Sequence, residues 1–272
     1  MKLSVSNWCV QRSLRAGLST NRDFIDLCAS LGADAELVYM LFADRAEKED
    51  VRAYMRGKGV KAACFSGGND FVSADPAERE AAAEKVKEAI DDAVFFESGL
   101  CRVFSGNVKE GISYEQGRDW IIEGFRKVMP YAEEKKVTLV LENHGLFAGK
   151  SDQIRHIIES VGSDYLRAVT DTGNFMLVNE DPFEAVQKVN EYVAHVHFKD
   201  FIEVQSGTYT SVNGTQYNGT VIGEGEVPLK EIIGFLSKKK FEGYISLEYE
   251  GDGEDVYEET KQSFLRLKEM IQ

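Results

Sequence analysis

Short runs of β-branched and apolar residues alternate along this chain with longer segments whose apolar positions recur every three or four residues among charged ones. The first pattern fits strands covered on both faces; the second fits helices that bury a single stripe. Strands are predicted near Leu3–Trp8, Ala35–Tyr39, Val60–Phe65, Cys101–Phe104, Val137–Glu142, Ala168–Asp171, His195–Phe198 and Tyr244–Glu248. Helices are predicted between them, near Asn21–Leu31, Glu47–Gly57, Pro76–Glu97, Tyr114–Lys136, Ser151–Val161, Pro182–Val189, Pro228–Lys239 and Asp255–Ile271. Several starts carry their own chemistry. Thr20 precedes the first helix, and Asp75-Pro76 and Asp181-Pro182 place a capping carboxylate before a proline at the first helical position.

Strict β-α alternation is the signature of a parallel sheet with helical crossovers. Eight such units in 272 residues fit an α/β fold of the (β/α)₈ TIM barrel kind, using residues 1–272 as a single domain. One stretch breaks the rhythm. Phe201–Gly225 is rich in Gly, Ser, Thr and Asn and too long for an ordinary connection, so it is expected to be a functional loop or lid.

Charge narrows the partners. Lys and Arg total 32 against 46 Asp and Glu, a formal charge of −14, which repels nucleic acid and acidic membrane surfaces. The N-terminal stretch Met1–Trp8 interrupts its apolar residues with polar ones and cannot supply a signal-peptide core. No apolar run approaches the roughly 18 residues of a membrane span. Cys9, Cys28, Cys64 and Cys101 are widely spaced, form no Cys-x-x-Cys pair and mostly fall in apolar segments that read as buried strands. They are expected to be reduced core thiols of a cytoplasmic protein. A homo-oligomer is compatible with all of this.

In an eightfold barrel the reactive groups come from the carboxyl ends of the strands. Here Val137–Leu141 runs into Glu142-Asn143-His144, the next strand ends in Asp171-Thr172-Gly173-Asn174, the next reads His195-Val196-His197-Phe198-Lys199-Asp200, and the last ends in Glu248-Tyr249-Glu250. Burying a carboxylate is costly unless it is paired or metal-bound. Four consecutive strands ending in carboxylate or imidazole therefore point to convergence on one cation. A set of three oxygens and one nitrogen without thiolate suits Mn²⁺, Mg²⁺ or Zn²⁺.

Leu141-Glu142-Asn143, Asp171-Thr172-Gly173-Asn174, His195–Asp200, Gly223-Glu224-Gly225 and Leu247-Glu248-Tyr249-Glu250-Gly251 resemble, in order, the motifs of the xylose isomerase-like barrels, in particular the sugar phosphate isomerase/epimerase group. The resemblance implies that Glu142, Asp171, His197 and Glu248 hold a single divalent metal. It implies also that Glu142 and Glu248 exchange a proton beside the carbonyl of a small carbohydrate, through an enediolate. Two departures stand out: Asn174 occupies a position where ketose epimerases carry histidine, and no arginine occurs between Arg167 and Arg266, so Lys199 is the candidate for the missing cation. The extra histidines of the endonuclease relatives are absent from a chain with four histidines in all, which agrees with the acidic charge.

His144 opens a second reading. Two residues past Glu142, on a strand that continued, it would share a face with that carboxylate and could serve as a base or hydrogen-bond a substrate hydroxyl. As a base it resembles that of barrel lyases that eliminate from 3-keto sugars, keto-glycosides or cyclitol-type rings. His195, deeper on its strand, is expected to play a core or supporting part. Trp8, Glu36 and Arg102 are candidates to line the substrate pocket, whereas Phe42, Phe65 and Phe71 read as core, Glu250 as a supporting or solvent-facing group and Glu78–Asp92 as a solvated helix face. The leading expectation is a metal-dependent isomerase or epimerase, the alternative a lyase or dehydratase, and the third, from a different class, a silent sugar-binding barrel.

Overall fold

The computed structural model describes residues 1–272. Eight strands close a parallel barrel: β1 (Lys2–Ser6), β2 (Asp34–Val38), β3 (Ala62–Ser66), β4 (Leu100–Val103), β5 (Thr138–Glu142), β6 (Leu166–Asp171), β7 (Val193–Phe198) and β11 (Tyr244–Leu247). Their order around the barrel is β1-β11-β7-β6-β5-β4-β3-β2. Every strand predicted from the sequence is present, three of them ending at the predicted residue and the others shifted by one or two residues. The first strand stops at Ser6, not Trp8, because Asn7–Val10 wind into a 3₁₀ turn in which the Trp8 N–H donates to Ser6 Oγ at 3.2 Å. The helix expected from Glu47 begins at Arg45, since the Asp44 carboxylate accepts the Glu47 N–H at 2.9 Å and so occupies the capping position. Thr20 and Asp23 form a reciprocal capping box, as do Ser113 and Gln116.

The largest departure lies in the segment expected to be a loop. It carries a small antiparallel sheet of β8 (Phe201–Val204), β9 (Tyr209–Thr210) and β10 (Gln216–Gly219), in the order β8-β10-β9. Strands as short as Tyr209-Thr210 and as polar as Gln216-Tyr217-Asn218-Gly219 lack the alternation that marks a half-buried strand.

Packing groups the chain into two compact units, Met1–Ala63 with Val196–Gln272, and Cys64–His195, and both divisions fall inside strands, β3 and β7. In the unit Cys64–His195, Cys64, Val140 and Val169 form a buried cluster, with Leu100 and Ala194 packed against it. Phe71 meets Phe125 edge-on at 5.1 Å. In the other unit the buried side chains include Val5, Ala35, Leu37, Ile245 and Leu247 on strands and Phe24 and Phe264 on the covering helices.

All four cysteines are free and buried, but only Cys64 and Cys101 lie on strands; Cys9 sits in the 3₁₀ turn and Cys28 on a helix. Phe65 and Phe71 are fully buried, whereas Phe42 is only half-buried and does not join the core. No helix is long and apolar enough to cross a membrane.

Candidate metal centre and active site

Parallel register explains why the reactive groups share a face. In the unit Cys64–His195, Arg102 pairs with Val140 and Glu142 with Val169. Side chains two residues apart on a strand point the same way, so Arg102, Glu142 and Asp171 stand on the face that Val140 and Val169 share. The contacts follow. Arg102 Nε lies 3.2 Å from Glu142 Oε2, and Asn174 Nδ2 donates to Glu142 Oε1 at 3.2 Å. Asp171 is held by its own turn: its Oδ1 accepts the N–H groups of Gly173 at 3.0 Å and Asn174 at 2.9 Å. Asn143, in the Leu-Glu-Asn motif but given no role by the sequence, locks the two strand ends together. Its Oδ1 accepts the Asp171 N–H at 2.6 Å and its Nδ2 donates to the Asp171 carbonyl at 2.8 Å.

His144 is placed differently from the expectation of a continuing strand. β5 ends at Glu142, and the chain turns so that the His144 N–H donates to the Glu142 carbonyl at 2.9 Å. The exposed imidazole then lies against Phe104, ring centres 4.7 Å apart, and Phe104 also receives the Arg102 guanidinium at 4.0 Å.

In the other unit, Ser6 pairs with Glu36 and Val5 with Leu247, which brings Glu36 and Glu248 to one face. Between them stands His197, with Nε2 at 2.9 Å from Glu36 Oε1 and Nδ1 at 3.4 Å from Glu248 Oε2. Burial works against a charged imidazole here, but the Glu36 and Glu248 carboxylates outweigh it and hold His197 well above the usual histidine range. Burial likewise tends to raise Glu248, yet the Lys199 ammonium and His197 prevail and hold it well below the usual carboxylate range. Lys199 Nζ is 3.2 Å from Glu248 and 2.9 Å from Glu250. His195, two residues before His197 on the same strand face, is fully buried.

Asp200, the last residue of the His197-Phe198-Lys199-Asp200 run, organises the Gly-Glu-Gly turn, a role the sequence reading missed. Its carboxylate accepts N–H groups from Phe201, Gly223, Gly225 and Val227 at 2.8–3.2 Å. A Cβ at position 225 would stand 2.2 Å from Asp200 Oδ1 and 2.4 Å from the Phe201 carbonyl oxygen, so only glycine fits against this carboxylate. Gly225→Ala is expected to lower stability by about 1–3 kcal/mol, the usual cost of overpacking; chemical denaturation measures it, and an unchanged midpoint would show that the turn yields freely.

Glu142 and Asp171 of the unit Cys64–His195, and His197 and Glu248 of the other, are candidate metal ligands, and all four side chains are buried. Buried carboxylates are costly unless a cation joins them, and a set of three carboxylates and one imidazole fits a hard or borderline divalent ion. The residues present therefore fit the metal implied by the strand-end pattern. Lys199 lies beside Glu248, and Arg102 and Asn174 brace Glu142.

A closed parallel barrel of eight strands with helices between them defines the class of (β/α)₈ proteins. The chain belongs to the xylose isomerase-like TIM barrel family, whose model matches residues 23–270. An inosose dehydratase of Clostridium perfringens is 27% identical over 139 residues, 48% of this chain and 47% of that protein. The chain thus spans about half the length of the curated relatives it matches. Among solved structures, D-psicose 3-epimerase from Clostridium cellulolyticum H10, with D-tagatose, superposes with a TM-score of 0.76 at 16% identity, covering 100% of both chains. The IolI protein with a bound zinc atom gives 0.81 at 16% identity, covering 100% of this chain and 98% of that one. At such identities these two structures support the fold alone. The curated relatives of this chain include inosose dehydratases, and the barrel's solved neighbours include sugar epimerases.

Proposed function

We propose that residues 1–272 act as one domain, a divalent-metal-dependent dehydratase of a polyhydroxylated ring ketone of the inosose type. The observation that carries this reading is the unequal situation of the three candidate bases. Glu142 faces Arg102 and Asn174, and Glu248 faces Lys199 and His197. Carboxylates paired with cations in this way hold protons weakly and are poor general bases. His144 is exposed beside Phe104, makes no ion pair with Arg102 or Lys199, and suits a general base. The inosose dehydratase relatives support the same chemistry.

In this reading Glu142, Asp171, His197 and Glu248 hold the metal, which supplies electrophilic polarisation of a substrate oxygen when bound. His144 removes the proton from the carbon next to the carbonyl. Electron density moves towards the carbonyl, the bond to the hydroxyl on the following carbon breaks, and that hydroxyl leaves as water with the proton that His144 took up. Lys199 hydrogen-bonds a substrate oxygen, and Trp8 borders the ring. Arg102 and Asn174 act through Glu142, and Glu36 acts through His197 by fixing which ring nitrogen is left for the metal. Epimerisation is the second reading, and what favours it is the presence of two glutamates in the ligand set.

Incubating the Mn²⁺-loaded protein with inosose, ketoses and keto-glycosides in D₂O tests the proposal. Loss of water from inosose is the expected result; deuterium exchange with epimer formation on a ketose, and no dehydration, would replace it with the second reading.

A pH dependence follows from His197. Because the carboxylates beside it hold its proton above the usual range in the metal-free protein, metal must displace that proton. Affinity is expected to fall as pH falls, with about one proton released per ion bound. Calorimetric titration of Mn²⁺ at neutral pH, in buffers of different ionisation enthalpy, measures it. Identical heats in all buffers would remove His197 from the ligand set.

A further inference from the structure

The carboxylate of Glu250 has no part in the mechanism above, yet it is nearly as buried as the ligands themselves and three elements converge on it. Trp8 Nε1 donates to its Oε1 at 2.6 Å, the Tyr209 hydroxyl donates to its Oε2 at 2.8 Å, and Lys199 Nζ lies 2.9 Å from Oε2. Its side chain is only 10% exposed. Trp8 is fixed in turn by Arg15, whose guanidinium lies 5.0 Å from its ring centre. Tyr209 belongs to β9 of the small antiparallel sheet and packs on Phe201 of β8 with ring centres 5.0 Å apart. The last strand of that sheet also rests on the backbone beside Glu250. Gly219 bridges to Gly251, and a Cβ at Gly219 would meet the Glu250 carbonyl oxygen at 2.3 Å.

Lys199 is shared between two carboxylates, 3.2 Å from Glu248 and 2.9 Å from Glu250. An ammonium resting wholly on Glu248 would neutralise a ligand and repel an incoming divalent cation. One drawn towards Glu250 stays beside the centre while leaving Glu248 able to coordinate. We propose that Glu250 is a positioning residue: it holds the Lys199 ammonium off Glu248 and, through Tyr209, latches the β8–β10 flap to the same carboxylate. Flap closure and the place of the Lys199 charge are thereby tied to one group. The latch stands on contacts alone; the effect on Glu248 rests on the metal reading given above.

Two measurements test it. Hydrogen exchange of the metal-free protein reads the latch: Glu250→Gln and Tyr209→Phe should each speed exchange of the amides of residues 209–219 by about tenfold or more, as loss of a local tether does. Titration with Mn²⁺ reads the charge. Lys199→Met should bind the ion about tenfold more tightly and Glu250→Gln about tenfold more weakly, on the scale of one neighbouring charge. Glu250→Gln in the Lys199→Met background should change affinity by no more than about twofold, because its effect passes through Lys199. Tyr209→Phe, which keeps both charges and removes one hydroxyl, should leave Mn²⁺ affinity nearly unchanged. Unchanged flap exchange in both single variants would overturn the proposal, and so would a Glu250→Gln effect as large without Lys199 as with it. A wild-type protein that takes up no Mn²⁺ would defeat the metal reading instead, with the exchange measurement still deciding the latch.

Discussion

His144→Ala is expected to lower kcat by about 10²–10⁴-fold, the usual worth of a positioned acid or base, while the protein keeps its full complement of metal. The expectation comes from the division of labour around the barrel mouth. Glu142 and Glu248 are paired with cations and are ligands in the proposed centre, whereas His144 is outside that proposed set, held by a turn after β5 and by the Phe104 ring. Steady-state kinetics on inosose, with metal content determined in parallel, reads the result. If activity persists and only KM rises, the imidazole contributes uniform binding and the two-glutamate exchange becomes the better account.

Asp171→Ala is expected to have the larger effect on the metal itself. Asp171 is completely buried, and one of its oxygens is already taken by the backbone N–H groups of Gly173 and Asn174, so its carboxylate is aimed by its own turn. In the proposed centre its removal takes away one of four ligands. Mn²⁺ affinity should fall by at least about 100-fold, as loss of a direct ligand exceeds the 10–100-fold typical of supporting partners. Wild-type occupancy in this variant would show that the four side chains do not form one centre.

The parts of the fold and site legible in the sequence were those governed by strand periodicity and by the cost of burying charge. Val137–Leu141 could only be a covered strand, and Glu142, Asp171, His197 and Glu248 stand where such strands end. What escaped notice depended on turns and on partners distant in sequence. The 3₁₀ turn that carries Trp8 past the end of β1 is set by Ser6, a residue equally at home in a strand. The turn after Glu142 moves His144 off the strand's alternation. Asp200 was visible within a motif, but its four N–H partners come mostly from a turn more than twenty residues away. Glu250 read as a supporting or solvent-facing acid in an acidic stretch, because its partners Trp8 and Tyr209 are 242 and 41 residues away. The flap strands are too short and too polar for periodicity to detect.

The central claim, that four strand ends share one divalent ion, is tested most directly by anomalous diffraction from crystals of the Mn²⁺-loaded protein. A single peak bonded to Glu142, Asp171, Glu248 and the Nδ1 atom of His197 is predicted. A peak elsewhere, or none at saturating Mn²⁺, would contradict it.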